Sequence, residues 1–483
     1  MVEPSLDTLD LLIMGAGPAG ASAALRARKL GLSVLLVDEN PDAGGQVYRA
    51  LPLGFTRSTG APVSAEARIG DDLRESLRQA GIQCLFGHKV WNIGSSLRTD
   101  LIGPNGSLSY QPRALLVAIG TTERVVPFEG WTLPGVIGLA AATVLLKSQN
   151  MLPGRRTIVA GAGPLLLAVA NGILKAGGEV AAVIDLASRG EWLRTTPSVV
   201  GRPDLLWQGM QWQAKLRLAG VPMLYSHAVR TATMHADGEL QVTAHPVDAK
   251  GLPQEGADVV IQANALTVGN GLVPSTDATR LLRAQHRYAP ALGGWIAQTD
   301  GDGRTSVKHL YVAGDGAGIA GAAAAGLHGE LAALACAQDL GFASALQLAT
   351  ERDKLQAQWR KPARFGRAMA GLMALRPGAV AGITPAAIVC RCEDVTRADI
   401  DRAIKDGARD MNQLKAWTRC GMGPCQGRTC GDVAGALMAE RMGCDREVVG
   451  YFTGRAPLRP VSLAEVAGDY TYADIPIPKA APL

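Results

Sequence analysis

The sequence predicts an α/β fold with two nested dinucleotide-binding Rossmann domains and a small, mainly helical domain at the C-terminal end. Two glycine-rich turns carry the first part of this prediction. They lie about 145 residues apart, at 15–20 and 161–164, and each follows an apolar run and opens a helical pattern. The cysteines carry the second part, because six of the eight lie between residues 390 and 444. A chain of 483 residues has room for about three domains of roughly 150 residues each.

Composition narrows the class of function. The net charge is +5 with no long basic run, and only 5% of the residues are aromatic, which argues against nucleic-acid or membrane-surface binding. The N-terminus has no basic segment of a signal peptide, and glycines or charged residues interrupt every long apolar stretch. We therefore expect a cytoplasmic protein without a transmembrane segment. In a reducing compartment its cysteines are ligands or buried apolar residues, and Cys84 and Cys336 belong to the second group.

The first dinucleotide unit is complete. An apolar strand at 10–14 leads into the turn, a helix is expected over 21–30, and a second strand at 33–37 ends at Asp38 and Glu39. Gly15 permits the tight turn, Gly17 lets the backbone approach a pyrophosphate, and Gly20 lets the helix pack closely on the strand. The helix N-terminus offers free N–H groups to the phosphates. Asp38 is placed to accept hydrogen bonds from a ribose, and Glu39 is the less favoured partner.

The second unit is degenerate. It has strands at 157–160 and 180–184 and a helix that ends near Lys175, but the third glycine position is Leu166. Asp185 also falls one residue later, relative to its glycines, than Asp38 does. We expect a dinucleotide site that has decayed and is kept for its fold, with an ordinary nicotinamide site as the alternative.

The C-terminal cysteines have the spacing of a metal cluster. Cys390 and Cys392 form a close pair, and after 32 intervening residues Cys425 and Cys430 form a second pair. Two such pairs suit a [2Fe–2S] cluster, in which each iron takes two thiolates, while a structural zinc site is the alternative. Cys420 competes with Cys430, since it lies equally far from Cys425. The cysteine-rich segment also contains four cations that would raise the reduction potential if they faced inward, namely Arg391, Lys415, Arg419 and Arg428.

The remaining features of the sequence are interpreted as structural. Thr396 is expected to cap a helix over 397–405 that stops at Gly407, and Cys444 is expected to pack on the last helix. No His–Asp–Ser group or carboxylate pair stands out as catalytic, and His328 is interpreted as a helix-packing residue.

Three motifs resemble those of the glutathione-reductase-like flavoproteins. They are Gly44-Gly45-Gln46, Ala118-Ile119-Gly120-Thr121 and Leu310-Tyr-Val-Ala-Gly-Asp315. The resemblance implies an FAD site. Its expected contacts are Gly15, Gly17, Pro18, Ala19, Gly20, Asp38, Glu39, Gly45, Gln46, Arg49, Val90, Ala118, Gly120, Gly314 and Asp315. Residues 46–51 lack the cysteine pair of the disulfide reductases, which excludes thiol–disulfide chemistry.

The segments 390–396 and 421–430 resemble the bacterioferritin-associated-ferredoxin-like [2Fe–2S] domain. With the flavoprotein motifs, and with Gly-Gly-Gln-Val-Tyr-Arg at 44–49, the chain is similar over nearly its full length to the α (or A) subunits of flavin-dependent amino- and imino-acid dehydrogenases. These include the A subunit of opine oxidase, the B subunit of hydrogen cyanide synthase, and the larger subunit of proline and hydroxyproline dehydrogenases.

That resemblance implies a hetero-oligomeric complex. A β subunit with its own FAD would oxidise the amine, an FMN would lie near the subunit interface, and this chain would pass electrons on, to a quinone or the respiratory chain. A small ferredoxin-like subunit can accompany them, and such a complex can lie against the inner membrane. Some relatives hold only an adenine nucleotide where FAD is expected. The alternatives are a stand-alone NAD(P)H-dependent reductase and a partner-binding scaffold with vestigial cofactor folds.

The expected domain boundaries follow these motifs. Residues 1–126 and 270–338 form a discontinuous FAD-binding domain, and 127–269 the degenerate NAD(P)-type domain. Residues 339–385 are a helical linker, 386–465 the [2Fe–2S] domain, and 466–483 an extended tail.

Overall fold

A computed structural model of the chain describes residues 9–52, 54–55, 64–199 and 202–467. The expected tail from residue 468 onward lies outside the described residues. Among the described helices, none combines the length and the apolar character needed to cross a membrane.

The first domain is built on a five-stranded parallel sheet of order β20-β7-β1-β2-β3. Its central strands are apolar throughout and fully buried, as strands covered on both faces must be. The elements up to residue 126 are β1 (Leu11–Met14), α1 (Pro18–Lys29), β2 (Val34–Asp38), α2 (Ala65–Gln79), β3 (Gln83–Phe86), β4 (Lys89–Ile93), β5 (Thr99–Gly103), β6 (Gly106–Tyr110), β7 (Ala114–Val117) and β8 (Thr121–Glu123). Strands β4–β6 form a separate antiparallel sheet.

The second domain repeats this plan with a five-stranded parallel sheet of order β12-β11-β10-β16-β9. Strands β13–β15 add an antiparallel sheet beside it. Its elements are β9 (Val136–Gly138), α3 (Leu139–Ser148), β10 (Arg156–Gly161), α4 (Leu165–Lys175), β11 (Glu179–Asp185), α5 (Arg189–Val199), α6 (Pro203–Leu218), β12 (Met223–Tyr225), β13 (His227–Met234), β14 (Leu240–Pro246), β15 (Val259–Ala263) and β16 (Ala265–Gly269).

The chain then returns to the first domain, and a strand pair connects the segment that leaves this domain with the segment that returns to it. On return β17 pairs antiparallel with β8, with Thr121 opposite Pro274. The elements of this segment are β17 (Leu272–Pro274), α7 (Asp277–Leu281), β18 (His286–Ala289), β19 (Gly294–Ala297), β20 (Leu310–Val312) and α8 (Ala322–Asp339). Strand β20 completes the first sheet beside β7. The nested α/β architecture predicted from the sequence is confirmed.

Helices α1 and α8 pack together against the first sheet. The contact is close because a side chain at Gly329 would come within 2.0 Å of the carbonyl oxygen of Ala19.

The segment interpreted as a linker is packed against the second domain. Residues 339–385, expected to be a helical linker, contain the long helix α9, which runs over Ala345–Leu372. Ser344 and Gln347 form a capping box that starts this helix, and apolar residues such as Met369 and Leu372 pack on the second domain. A short helix, α10 (Pro377–Ala381), follows.

The C-terminal domain is mainly helical, with one small strand pair. Its elements are β21 (Ile388–Cys390), β22 (Val395–Thr396), α11 (Arg397–Lys405), α12 (Met411–Thr418), α13 (Gly431–Met442), α14 (Arg446–Val449) and α15 (Leu463–Ala467). Thr396 caps α11 through a capping box with Asp399, so the predicted cap and helix are both present. Cys444 is partly buried against the core of this domain, just after α13.

Candidate dinucleotide and cysteine sites

The glycines of the first turn differ in how much space surrounds them. A side chain at Gly15 would lie 2.5 Å from the oxygen of Ala118, and one at Gly20 would lie 1.8 Å from the oxygen of Gly15. Both are therefore required by the fold. At Gly17 the nearest such atom is Cα of Gly45, 3.8 Å away. Gly17 leaves the backbone bare at the N-terminus of α1, as a dinucleotide cradle requires.

Asp38 is held by the same turn. One carboxylate oxygen accepts a hydrogen bond from the N–H of Ala16 at 2.6 Å, and the other accepts from the N–H of Asn40 at 2.8 Å. Glu39 instead lies 3.2 Å from the guanidinium of Arg459. The carboxylate directed at the glycine turn is thus that of Asp38, and the expected order of the two acids agrees with this placement.

The loop after β2 lies against the first turn. The N–H of Gly44 donates to the oxygen of Ala16 at 2.9 Å, and a side chain at Gly45 would come within 2.9 Å of Cα of Gly17. Gln46 accepts a hydrogen bond from Arg49 at 2.7 Å. Val90 differs from these residues, because it is buried in the apolar core beside β2.

The second flavin-type motif, which ends in Gly314 and Asp315, lies just before α8 and next to the first glycine turn. The carboxylate of Asp315 accepts hydrogen bonds from the N–H groups of Ala320 and Gly321, both at 2.9 Å, and burial raises its pKa. A side chain at Gly314 would lie 2.8 Å from Cβ of Ala19 on α1. Close by, the N–H of Ser275 donates to the oxygen of Gly120. The predicted contact residues around α1 therefore converge on one crevice, whose glycine cradle fits a bound FAD.

His328 has a structural role. Its Nδ1 accepts a hydrogen bond from the N–H of Gly314 at 3.2 Å, and burial lowers its pKa to about 4. A neutral imidazole that accepts a backbone hydrogen bond anchors α8, in line with the packing interpretation.

The glycine turn of the second domain is covered by a segment of the chain itself. A side chain at Gly163 would come within 2.6 Å of the sulfur of Met373, so this thioether lies directly on the glycine turn. Arg376 reaches Glu191 at 2.9 Å and holds the same segment in place. The end of α9 therefore lies where a dinucleotide would approach.

The acid of the second unit is also engaged internally. Asp185 accepts hydrogen bonds from the N–H of Ala187 at 2.9 Å and from the indole N–H of Trp192 at 2.8 Å. Burial raises its pKa to about 6. Leu166 is buried in the apolar core of this domain. These observations agree with a decayed site.

The C-terminal domain brings five thiols together in two groups. The sulfurs of Cys390, Cys420 and Cys430 lie within 4.8 Å of one another, with 3.8 Å between those of Cys420 and Cys430. Cys392 and Cys425 interact with each other as the second group. The arrangement brings together all four predicted ligands, and Cys420 lies among them. The sulfurs are grouped differently from the sequence pairs, because Cys392 lies with Cys425 and Cys390 lies with Cys430.

Hydrogen bonds polarise this sulfur site. Bonds from the Cys420 and Cys430 thiols, with weaker ones from the N–H groups of Gly421 and Glu393, lower the pKa of Cys390 well below its usual range. A thiolate held by thiol and backbone donors is the form that binds a metal. The donor set fits an iron–sulfur cluster, with two groups of sulfurs for two irons.

A buried ion pair joins the cysteine domain to the first domain. Arg124, which follows β8, lies 2.8 Å from the carboxylate of Asp432 on α13, and both side chains are buried. The same guanidinium donates to the oxygens of Gly293 and Met373. Sequence reasoning missed Arg124, Asp432 and Met373, because contacts across so many residues leave no local pattern.

Comparison with known proteins gives two family matches and several relatives over most of the chain. Residues 9–338 match the family model described as pyridine nucleotide-disulphide oxidoreductase, and residues 384–469 match the one described as sarcosine oxidase A3 domain. The chain is 34% identical to the A subunit of opine oxidase from Rhizobium meliloti, over 95% of this chain and 87% of that protein. It is 33% identical to hydrogen cyanide synthase subunit HcnB of Pseudomonas aeruginosa, over 93% and 96% of the two chains.

Among solved structures, L-proline dehydrogenase from P. horikoshii has the same fold. The TM-score is 0.66 at 17% identity, covering 95% of this chain and 79% of the other. Both sequence relatives are named as subunits, and the family match covers most of the chain. The chain is a flavin-dependent oxidoreductase and belongs to the family of HcnB and the opine oxidase A subunits.

Proposed function

We propose that this chain is the electron-relaying subunit of a hetero-oligomeric, FAD-dependent dehydrogenase that oxidises an amino or imino acid. The substrate class is that of an opine, glycine, proline or hydroxyproline. The C–N bond is oxidised on a partner subunit with its own FAD, and this chain takes the electrons away.

The observation that carries the proposal is the pairing of two sites in one chain. A glycine cradle for a dinucleotide lies in the first domain, and five thiols lie in a domain fixed to it through Arg124 and Asp432. When bound, FAD exchanges two electrons and can release them singly, whereas a [2Fe–2S] cluster accepts one. The combination therefore suits a relay between a two-electron donor and a one-electron acceptor.

In the first site, each group of residues has its own task. The bare backbone at Gly17 and the N-terminus of α1 receive the diphosphate, and Asp38 accepts hydrogen bonds from the ribose. Asp315 already orders the start of α8 through two backbone hydrogen bonds, and its carboxylate would bind the ribityl chain of the flavin.

In the second site, the cysteines hold the metal. Cys392 and Cys425 form one ligand pair, and Cys390 completes the other with Cys430. Cys430 is favoured over Cys420 because it belongs to the Cys-Gln-Gly-Arg-Thr-Cys element at 425–430. Only one residue separates Cys390 from Cys392 in the sequence, and this spacing favours an iron–sulfur cluster over a zinc ribbon.

The partners follow from the same scheme. They are an FAD-containing catalytic β subunit, a small ferredoxin-like subunit, an FMN held near the subunit interface, and an acceptor such as a quinone. The complex acts in the cytoplasm, at the inner membrane where the acceptor requires it. The covered glycine turn of the second domain, with Met373 on it, supports a chain that receives its electrons from another protein instead of from NAD(P)H.

The test is to purify the chain from its source under native conditions with whatever binds it. We expect FAD on acid release, two irons and two sulfides per chain, and a rhombic EPR signal after reduction. An amino or imino acid substrate should reduce the complex, and NADH should not reduce the isolated chain. Colourless protein, zinc in place of iron, or rapid reduction by NADH would contradict the proposal.

A further inference from the structure

Two arginines at the junction between the first domain and the cysteine domain form no ion pair, although Arg446 is buried and Arg280 is partly buried. Arg280, on α7, donates to the hydroxyl of Thr276 at 2.9 Å, and one of its terminal nitrogens has no hydrogen-bond partner. Arg446, on α14, donates to the oxygens of Gly450 and Gly431, and its Nε has none. Among the ion pairs of the described part of the chain, neither guanidinium appears.

Arg280 is fixed by two aromatic rings. Its guanidinium carbon lies 5.2 Å from the ring centre of Trp295 and 4.3 Å from that of Tyr451. Trp295 belongs to the first domain and Tyr451 to the cysteine domain. The cation is therefore held between the two domains, where cation–π contacts are strengthened by the exclusion of water.

This junction adjoins the predicted cluster ligands. A side chain at Gly431 would come within 2.6 Å of the hydroxyl of Tyr451, so the ring that carries Arg280 touches the residue after Cys430. Arg446 donates to the oxygen of the same Gly431 at 3.2 Å. Both cations thus approach the cysteine site through the residue next to one of its ligands.

The positive charge at the junction exceeds the negative charge. Arg124 pairs with Asp432, whose second oxygen has no hydrogen-bond partner. Asp277, on α7 with Arg280, pairs with Arg428. Arg280 and Arg446 therefore add positive charge that no ion pair offsets. Burial lowers the pKa of Arg280 only to about 10, so it stays charged near neutral pH. Charges in such a poorly solvated place act over longer distances than surface charges do.

The four cations that the sequence suggested as acting on the cluster make other contacts in the structure. Arg419 is largely exposed and pairs with Glu393, and Arg428 pairs with Asp277. Arg391 and Lys415 lie over the rings of Trp131 and Phe452. The cations without an ion pair come from α7 and α14 instead.

We propose that Arg280, with Arg446, raises the reduction potential of the cluster held by the C-terminal cysteines, so that docking against the first domain makes the cluster a better electron acceptor. The inference rests on the proposed [2Fe–2S] function. Reduction adds one electron and one negative charge to the cluster, and a fixed positive charge nearby stabilises that form. The two arginines are tuning residues and do not bind the cluster.

The experiment is an anaerobic redox titration of the cluster in the native complex, followed by EPR. Arg280→Met removes the charge and keeps most of the side-chain length, whereas Arg280→Lys keeps the charge. We expect Arg280→Met to lower the equilibrium constant for one-electron reduction about tenfold, which corresponds to about 59 mV. Arg280→Lys should retain most of the wild-type value. Arg419→Gln, which removes an exposed and paired cation, should leave it unchanged.

A second variant tests the opposite sign. Asp432→Asn removes a carboxylate of the junction but keeps an oxygen that can accept from Arg124, and it should raise the potential, so the proposal can be tested even if Arg280→Met does not fold. An Arg280→Met potential equal to that of wild type, an Arg280→Lys shift as large as that of Arg280→Met, or an unshifted Asp432→Asn potential would each overturn the inference. Failure of the proposed function looks different, since the chain would then contain no iron in any variant.

Discussion

The guanidinium of Arg124 and the carboxylate of Asp432 lie 2.8 Å apart with only 2% and 5% of their side chains exposed, although 308 residues separate them. This ion pair connects the strand that leaves the first domain to the helix that follows Cys430. Its energetic importance depends on burial, because a buried charge that loses its partner cannot be hydrated.

Replacing Arg124 should therefore destabilise the protein strongly. Arg124→Met leaves Asp432 buried and unpaired, and we expect a loss of about 3–5 kcal/mol in the free energy of unfolding, measured with urea. Arg419→Gln is the matched control, since it breaks a surface pair with Glu393 and should leave the unfolding midpoint unchanged. Equal effects of the two variants would show that the buried pair has no special role.

The glycine turn of the first domain allows binding and folding to be separated. Gly17 has extended backbone angles, and a side chain there would meet only Cα of Gly45 at an ordinary contact distance of 3.8 Å. Gly17→Ala should therefore fold normally but lose FAD, because a methyl group keeps the pyrophosphate away. Gly20→Ala should fail to fold, since its side chain would overlap the oxygen of Gly15. Released flavin per chain and thermal unfolding of the apoprotein distinguish the two. A Gly17→Ala protein with full flavin would rule out this cradle.

The contact between Gly163 and Met373 can be measured with a double-mutant cycle. Gly163→Ala should cost about 1–3 kcal/mol, because its methyl group meets the Met373 sulfur and the backbone has a positive φ. In a Met373→Ala background the same change should cost less, since the overlap is relieved. Strictly additive unfolding free energies would mean that the thioether does not cover the glycine turn.

The iron content of serine variants should distinguish the cysteines that bind the cluster from those that do not. Serine substitution at Cys390, Cys392, Cys425 or Cys430 should abolish the cluster, whereas Cys420→Ser should keep it, and Cys444→Ser is the control. The readouts are iron and sulfide per chain and the EPR spectrum. A Cys430→Ser protein with full iron and an unchanged spectrum, beside a Cys420→Ser protein without iron, would move the fourth ligand to Cys420.

Glu123 should make stability depend on pH. It accepts a hydrogen bond from the N–H of Ala140 at the start of α3, and burial raises its pKa from 4.5 to about 7. The folded state then holds this proton more tightly than the unfolded state between these two values. Stability should be highest below pH 4.5, as far as this group is concerned, and should fall as pH rises to 7.

The matched variant is Glu123→Gln. It keeps an oxygen for Ala140 but does not ionise, so its stability relative to wild type should grow by up to about 3 kcal/mol between pH 4.5 and 7. Urea unfolding of both proteins across this range measures the difference. A difference that stays constant with pH would show that Glu123 does not titrate there.

Local patterns made much of the fold predictable. The turn glycines, the strands around them and the cap at Thr396 each depend on residues a few positions apart, and the structure has all of them. The end of α9 was missed because Met373 acts through a contact with a glycine more than two hundred residues away. The choice between Cys420 and Cys430 stayed open because their spacing from Cys425 is the same, and folding brings both beside Cys390.

The group that covers the second glycine turn is covalently part of the protein, since Met373 and Gly163 belong to one chain. A tethered group competes at a local concentration set by its connection, and this value does not change with the amount of protein in the cell. A free nucleotide would have to outcompete a neighbour that never diffuses away. Under the proposed function, we expect the domain to be insensitive to changes in the nicotinamide concentration, without a gate that opens or closes.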